Sequence, residues 1–102
     1  MTANDLTIDE IHVGDTVSFS RTITNDDVLT FSEISGDKNP LHLDDEYART
    51  TSFGKRLVHG MLLGSLCSQV VGMYLPGKRC LYLKQELVFK KPVYIDETIF
   101  VT

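Results

Sequence analysis

No stretch of the sequence holds more than two consecutive basic residues; Lys55-Arg56, Lys78-Arg79 and Lys90-Lys91 are the longest. A nucleic-acid footprint needs a broad basic face, and a chain of net charge −4 and pI near 5.2 supplies no sign of one. Cysteine is scarce. Cys67 lies in an apolar run and Cys80 opens an expected strand, with no CxxC and no Cys/His ligand spacing. That excludes a disulfide framework or a zinc ribbon and implies two reduced thiols, as in a cytoplasmic protein. The segment Met1-Thr2-Ala3-Asn4-Asp5-Leu6 lacks the basic start and apolar core of a secretion signal. Repeats, low-complexity tracts and linkers are also missing, so residues 1–102 read as a single domain.

What is present is globular in character: 42% apolar and 24% charged residues. A chain of 102 residues buries only a modest core, and oligomerisation is an expected source of further burial. From Leu57 to Gly77 no Asp, Glu, Lys or Arg occurs. A membrane span is about this long, but His59, Ser65, Ser68 and Gln69 interrupt it. The expectation is a helix buried on most sides, stopped by Pro76-Gly77. Gly60, Gly64, Ser68 and Gly72 recur every four residues along one face. Such a stripe admits a close neighbour, either a packed sheet or a ligand.

Before this helix, Thr16 to Thr22 alternates as a short strand. Thr24 is a candidate N-cap, with Asp26 and Asp27 in the first turn, and Val28, Phe31 and Ile34 define an apolar face. Gly36 suits a left-handed C-cap. Asp37 to His42 reads as a loop broken by Pro40, and Asp44 to Arg49 as a second short helix. After the buried helix, Leu81, Leu83, Leu87 and Phe89 share one face of a long strand, with Gln85 the polar exception. That strand is expected to bury one face and wet the other. Asp96-Glu97 forms a turn, and Thr98 to Thr102 begins a further strand.

The chemistry concentrates around Asp37 and His42, five residues apart. A carboxylate beside an imidazole can take a proton from water and return one to carbon. Gly60, where the buried helix begins, can offer an uncapped backbone N–H to a developing oxyanion. Asn39 and Pro40 stiffen the loop between them. On spacing alone Asp37 could merely cap a turn and His42 could be a loop histidine. His59 reads as structural, at the helix entrance, and His12 carries no hypothesis.

The run Phe31-Ser32-Glu33-Ile34-Ser35-Gly36-Asp37-Lys38-Asn39-Pro40-Leu41-His42 closely resembles the hydratase motif of MaoC-like and PhaJ-like (R)-specific enoyl-CoA hydratases. The likeness continues through Tyr47-Ala48, Phe53-Gly54, Val58-His59-Gly60-Met61, Leu75-Pro76-Gly77 and Val88-Phe89-Lys90-Lys91-Pro92-Val93. The resemblance implies an α+β hot-dog fold: an antiparallel sheet wrapped round a long central helix, here with its C-terminal strands missing. It implies catalytic roles for Asp37 and His42, an oxyanion-hole amide at Gly60, and supporting roles for Asn39 and Ser68. It further implies an acyl-CoA thioester substrate, no cofactor or metal, and a homodimer.

The expected activity is therefore reversible hydration of a trans-2-enoyl-CoA to the (R)-3-hydroxyacyl-CoA. One alternative is a dehydratase acting on acyl-carrier-protein thioesters. Another is a non-catalytic or partner-dependent acyl-thioester-binding module. Tyr47, Phe53, Leu62 and Leu66 are candidate acyl-tunnel residues, while the CoA-binding residues stay unassigned.

Overall fold

A computed structural model describes residues 1–102. After a short 3₁₀ turn at Ile8–Glu10 come β1 (Phe19–Thr22), α1 (Asn25–Ser35), α2 (Pro40–Leu43), α3 (Asp45–Thr50), α4 (Gly60–Gln69) and β2 (Thr98–Val101). β1 and β2 pair antiparallel, from Phe19 opposite Val101 to Thr22 opposite Thr98.

Local chemistry accounts for α1. Thr24 Oγ accepts from the Asp27 N–H at 3.2 Å, and the Asp27 carboxylate accepts from the Thr24 N–H at 2.9 Å. This reciprocal cap satisfies two otherwise orphan donors. Gly36 ends the helix at φ 76°, its N–H donating to Ser32 C=O. The apolar face differs from the expected one. Val28 is fully buried, but Ile34 is 83% exposed and Ser32 is buried instead. A three-residue spacing drifts round a 3.6-residue helix, whereas Val28 and Ser32, four apart, stay on one side.

Pro40 does not break a loop; it starts α2. Its missing N–H and fixed φ suit a first helical position, and Asn39 caps the turn, Oδ1 accepting from the Leu41 N–H at 2.9 Å. Asp44 caps α3 through the Glu46 and Tyr47 amides. α4 is the expected central helix, shorter than the uncharged run and continued by a π-helical turn at Val70–Tyr74. No helix is long and apolar enough to cross a membrane.

The core gathers Ile23, Val28, Val58, Leu62 and Leu66, with Phe19, Phe31, Leu43, Leu63, Val93, Ile95, Ile99 and Val101 packed around it. Leu62 and Leu66, expected along an acyl tunnel, lie in this core. The largest correction concerns the long strand. Residues 80–90 make no backbone–backbone hydrogen bond and belong to no sheet. A strand is defined by its neighbours, and the chain lays none beside this segment. Both of its faces are exposed, Leu83 at 87%. The radius of gyration, 16.1 Å, exceeds the roughly 13 Å of a compact chain of 100 residues.

Candidate active site

Three elements converge. α1 and its Gly36 cap deliver Asp37, the single turn of α2 delivers His42, and the start of α4 delivers His59 and Gly60. Asp37 keeps its side chain 51% exposed. Its N–H donates to Ser35 Oγ at 3.1 Å, and its Oδ1 accepts from the Asn39 N–H at 3.2 Å.

His42 is 15% exposed in its side chain and held from several directions. Nδ1 lies 2.9 Å from Leu57 C=O. A carbonyl only accepts, so Nδ1 carries the hydrogen and Nε2 the free lone pair. Arg56 Nε donates to His42 C=O at 2.7 Å and Arg56 Nη2 to Asn25 Oδ1 at 2.6 Å, linking the turn to α1. His42 Nε2 then stands 4.0 Å from Asp37 Oδ2.

His59 is the member that spacing did not reveal. Only 2% exposed, it stacks on His42 with ring centroids 3.9 Å apart and planes 26° apart. Phe31 meets its edge at 5.0 Å. Its Nε2 lies 3.1 Å from Asp37 C=O and 3.2 Å from Ser32 Oγ, while Nδ1 is buried without a partner. The signal for this role was Ser32 at the Val28 phase of α1, facing inward with a hydroxyl that needs a partner.

Burial pushes the His59 pKa below its ordinary value of 6.5; the Asp37 C=O opposes that, the His42 ring adds to it, and the Asp37 carboxylate opposes it. The unfolded chain therefore binds a proton near pH 6.5 that the folded chain refuses. Stability falls as pH drops from about 6.5 toward the lowered folded value, and is unaffected by this group above it. Urea denaturation at pH 7.5 and 5.5 should show that loss, and His59→Gln should shrink it. An undiminished loss in the variant would assign it to other groups.

Gly60 opens α4. Its N–H and that of Met61 donate to nothing in the chain. Gly60 and His42 line one cavity of about 310 Å³, together with Phe53, Leu63, Phe89 and Lys90. A Cβ on Gly60 would stand 3.0–3.1 Å from the Phe89 ring, and one on Gly64 would stand 2.6 Å from Leu87 Cδ1. The small-residue stripe thus seats Leu87 and Phe89 of the extended segment. Ser68 is not brought to the pair: it lines a different cavity, with Gln85 and Tyr82, and makes no hydrogen bond to Asp37 or His42. Tyr47 is 46% exposed and lines neither cavity.

Asp37, His42 and His59 could be suspected of holding a metal ion, their ligand atoms lying within 4.8 Å of one another. The stacking argues against it. Ring lone pairs lie in the ring plane, so two nearly parallel imidazoles present them side by side. His42 Nδ1 and His59 Nε2 already face carbonyl oxygens, which engages one nitrogen of each ring.

A family model described as "MaoC like domain" matches residues 10–102. The chain is 40% identical over 105 residues to the (R)-specific enoyl-CoA hydratase of Rhodospirillum rubrum, covering 100% of this chain and 73% of that protein. It is 40% identical over 89 residues to a mitochondrial 3-hydroxyacyl-[acyl-carrier-protein] dehydratase of Arabidopsis thaliana, covering 87% of this chain and 52% of that protein. Among solved structures, the unliganded R-hydratase PhaJ1 from Pseudomonas aeruginosa aligns with a TM-score of 0.91 at 38% identity, over 96% of this chain and 63% of that one. The chain thus spans about half to three quarters of the length of these relatives.

Proposed function

The chain belongs to the MaoC-like domain family, and from that premise we propose that its site hydrates trans-2-enoyl thioesters to (R)-3-hydroxyacyl thioesters, reversibly. The observation that carries the reading is the 4.0 Å gap between His42 Nε2 and Asp37 Oδ2. One water, at ordinary hydrogen-bond distance of about 2.8 Å from each, fits between them.

The step balances without a cofactor. The water oxygen bonds to Cβ as its proton passes to the Asp37–His42 pair, the C=C electrons move toward the thioester carbonyl, and a proton from the pair reaches Cα. The Gly60 N–H holds the enolate oxygen while charge is on it. Asn39 supports this arrangement by capping α2, and apolar walls from Phe53, Leu63 and Phe89 accept the acyl group. A homodimer in the cytoplasm is the assembly we propose. The apolar, unpaired segment from Leu81 to Phe89 supports it, since such a face calls for cover.

Loss of enoyl-thioester absorbance from crotonyl-CoA tests the reading: steady turnover supports it, and a folded chain without turnover overturns it. The carrier is a separate question. Lys90 and Lys91 line the same cavity and form no ion pair, which favours a phosphate-bearing carrier. Lys90→Ala with Lys91→Ala should raise KM about tenfold at low salt, leave kcat unchanged, and lose its effect as salt rises. An unchanged KM at low salt would remove these lysines from carrier recognition. Comparison of crotonyl-CoA with crotonyl-acyl-carrier-protein then decides between hydratase and carrier-protein dehydratase, the latter being how the Arabidopsis relative is named.

A further inference from the structure

Asp37 is a half-exposed residue at the end of a helix cap, a poor place from which to hold a carboxylate steady. One contact ties its backbone to α4. His59 Nε2 lies 3.1 Å from Asp37 C=O, and because a carbonyl can only accept, that nitrogen bears the hydrogen. The same ring backs the face of His42 at 3.9 Å. Phe31 on its edge and Ser32 Oγ at 3.2 Å lock the ring in turn. The next residue is Gly60, whose N–H is free.

We propose that His59 is a positioning residue, its Nε2–H fixing the Asp37 backbone and its ring backing His42, so that the carboxylate and His42 Nε2 stay one water apart. Its kinetic consequence rests on the hydratase reading; its geometric consequence does not. Few side chains can do both jobs. Phenylalanine stacks but cannot donate, glutamine donates but stacks poorly, and lysine or arginine would bury an unpaired charge. The partnerless Nδ1 fits the same account. A buried acceptor without a donor is unfavourable, so the imidazole is kept for its other nitrogen and its face.

The test reads geometry and rate separately. The Asn39 N–H donates to Asp37 Oδ1 and reports whether the carboxylate holds its place. In His59→Phe, Asn39 amide exchange should speed up by about fivefold to tenfold, the equivalent of losing one hydrogen bond. In His59→Gln, whose amide reaches the same carbonyl, it should stay within about twofold of wild type. With crotonyl-CoA, kcat of His59→Phe should fall about a hundredfold with KM little changed, since misplacement by about 1 Å costs that much, and His59→Gln, which keeps the tether but not the stack, should recover part of it.

Wild-type Asn39 protection in folded His59→Phe, or lost protection in folded His59→Gln, overturns the proposal. Should His59→Phe not fold, ¹⁵N spectra of the wild-type ring decide it: protonation at Nε2 is expected, and an Nδ1–H tautomer breaks the tether. A wild-type chain that is folded but inactive sinks the hydratase reading, while the exchange and ¹⁵N results still judge His59.

Discussion

Asp37→Asn should lower hydration of crotonyl-CoA by about 10²–10⁴-fold, the usual contribution of a positioned acid–base group, while leaving the fold as it was. The substitution keeps the side-chain shape, and the amide oxygen can still accept from the Asn39 N–H as Oδ1 does now. The backbone contacts to Ser35 and His59 use main-chain atoms and are untouched. What is lost is the negative oxygen 4.0 Å from His42 Nε2, and with it the capacity to share a water proton. Because the group acts in the transition state, kcat should fall with little change in KM. Far-UV circular dichroism and the denaturation midpoint should match wild type. Turnover within a few fold of wild type would remove Asp37 from the chemistry and leave His42 acting alone. Ser68→Ala should cost less, since Ser68 lines another cavity.

The parts of this site that were legible in the sequence are those fixed locally. The Thr24 cap with Asp27 in the first turn, and the Gly36 stop, are capping chemistries that act over three or four residues, and both stand where they were expected; Asn39 and Pro40, read as stiffening a loop, instead cap and open α2. The Asp37–His42 pair was legible because both lie on one short connection. His59 was not, because its partners, Ser32, Asp37 and His42, come from three other segments. Spacing along a chain cannot report a stack between residues seventeen apart.

The failure of the 81–90 strand has a different physical origin. Alternation in a sequence marks which faces a strand would present, yet pairing requires a neighbour in register. Leu87 and Phe89 do meet the glycine stripe of α4, as a sheet would. Leu81 and Leu83 find nothing to cover them. The pattern was correct about the helix-facing side for Leu87 and Phe89 only, and silent about the partner.

That imbalance makes the small core the most sensitive part of the molecule. Ile23→Ala should destabilise the chain by about 2–5 kcal/mol, the range for deleting a buried aliphatic side chain. Ile23 is fully buried and packs with Val28, Val58, Leu62 and Leu66. Its backbone joins both sides of the structure, the N–H donating to Glu97 C=O at 3.0 Å and the C=O accepting from the Asp96 N–H at 2.6 Å. It also immediately precedes Thr24, the cap that launches α1 toward Ser32 and Asp37. Only eleven residues of 102 are buried, so few other contacts can absorb the loss. Against a typical domain stability of about 5–15 kcal/mol, the variant should lose a large part of its cooperative transition in urea. Leu83→Ala, a change of similar size on an exposed side chain, should stay within about 0.5 kcal/mol. Hydration by Ile23→Ala should fall in step with the folded fraction and return when the chain is stabilised by lowering the urea concentration. A variant that stays fully folded yet loses turnover would instead show that Ile23 reaches the site by shifting α1, and with it the distance between Asp37 and His42.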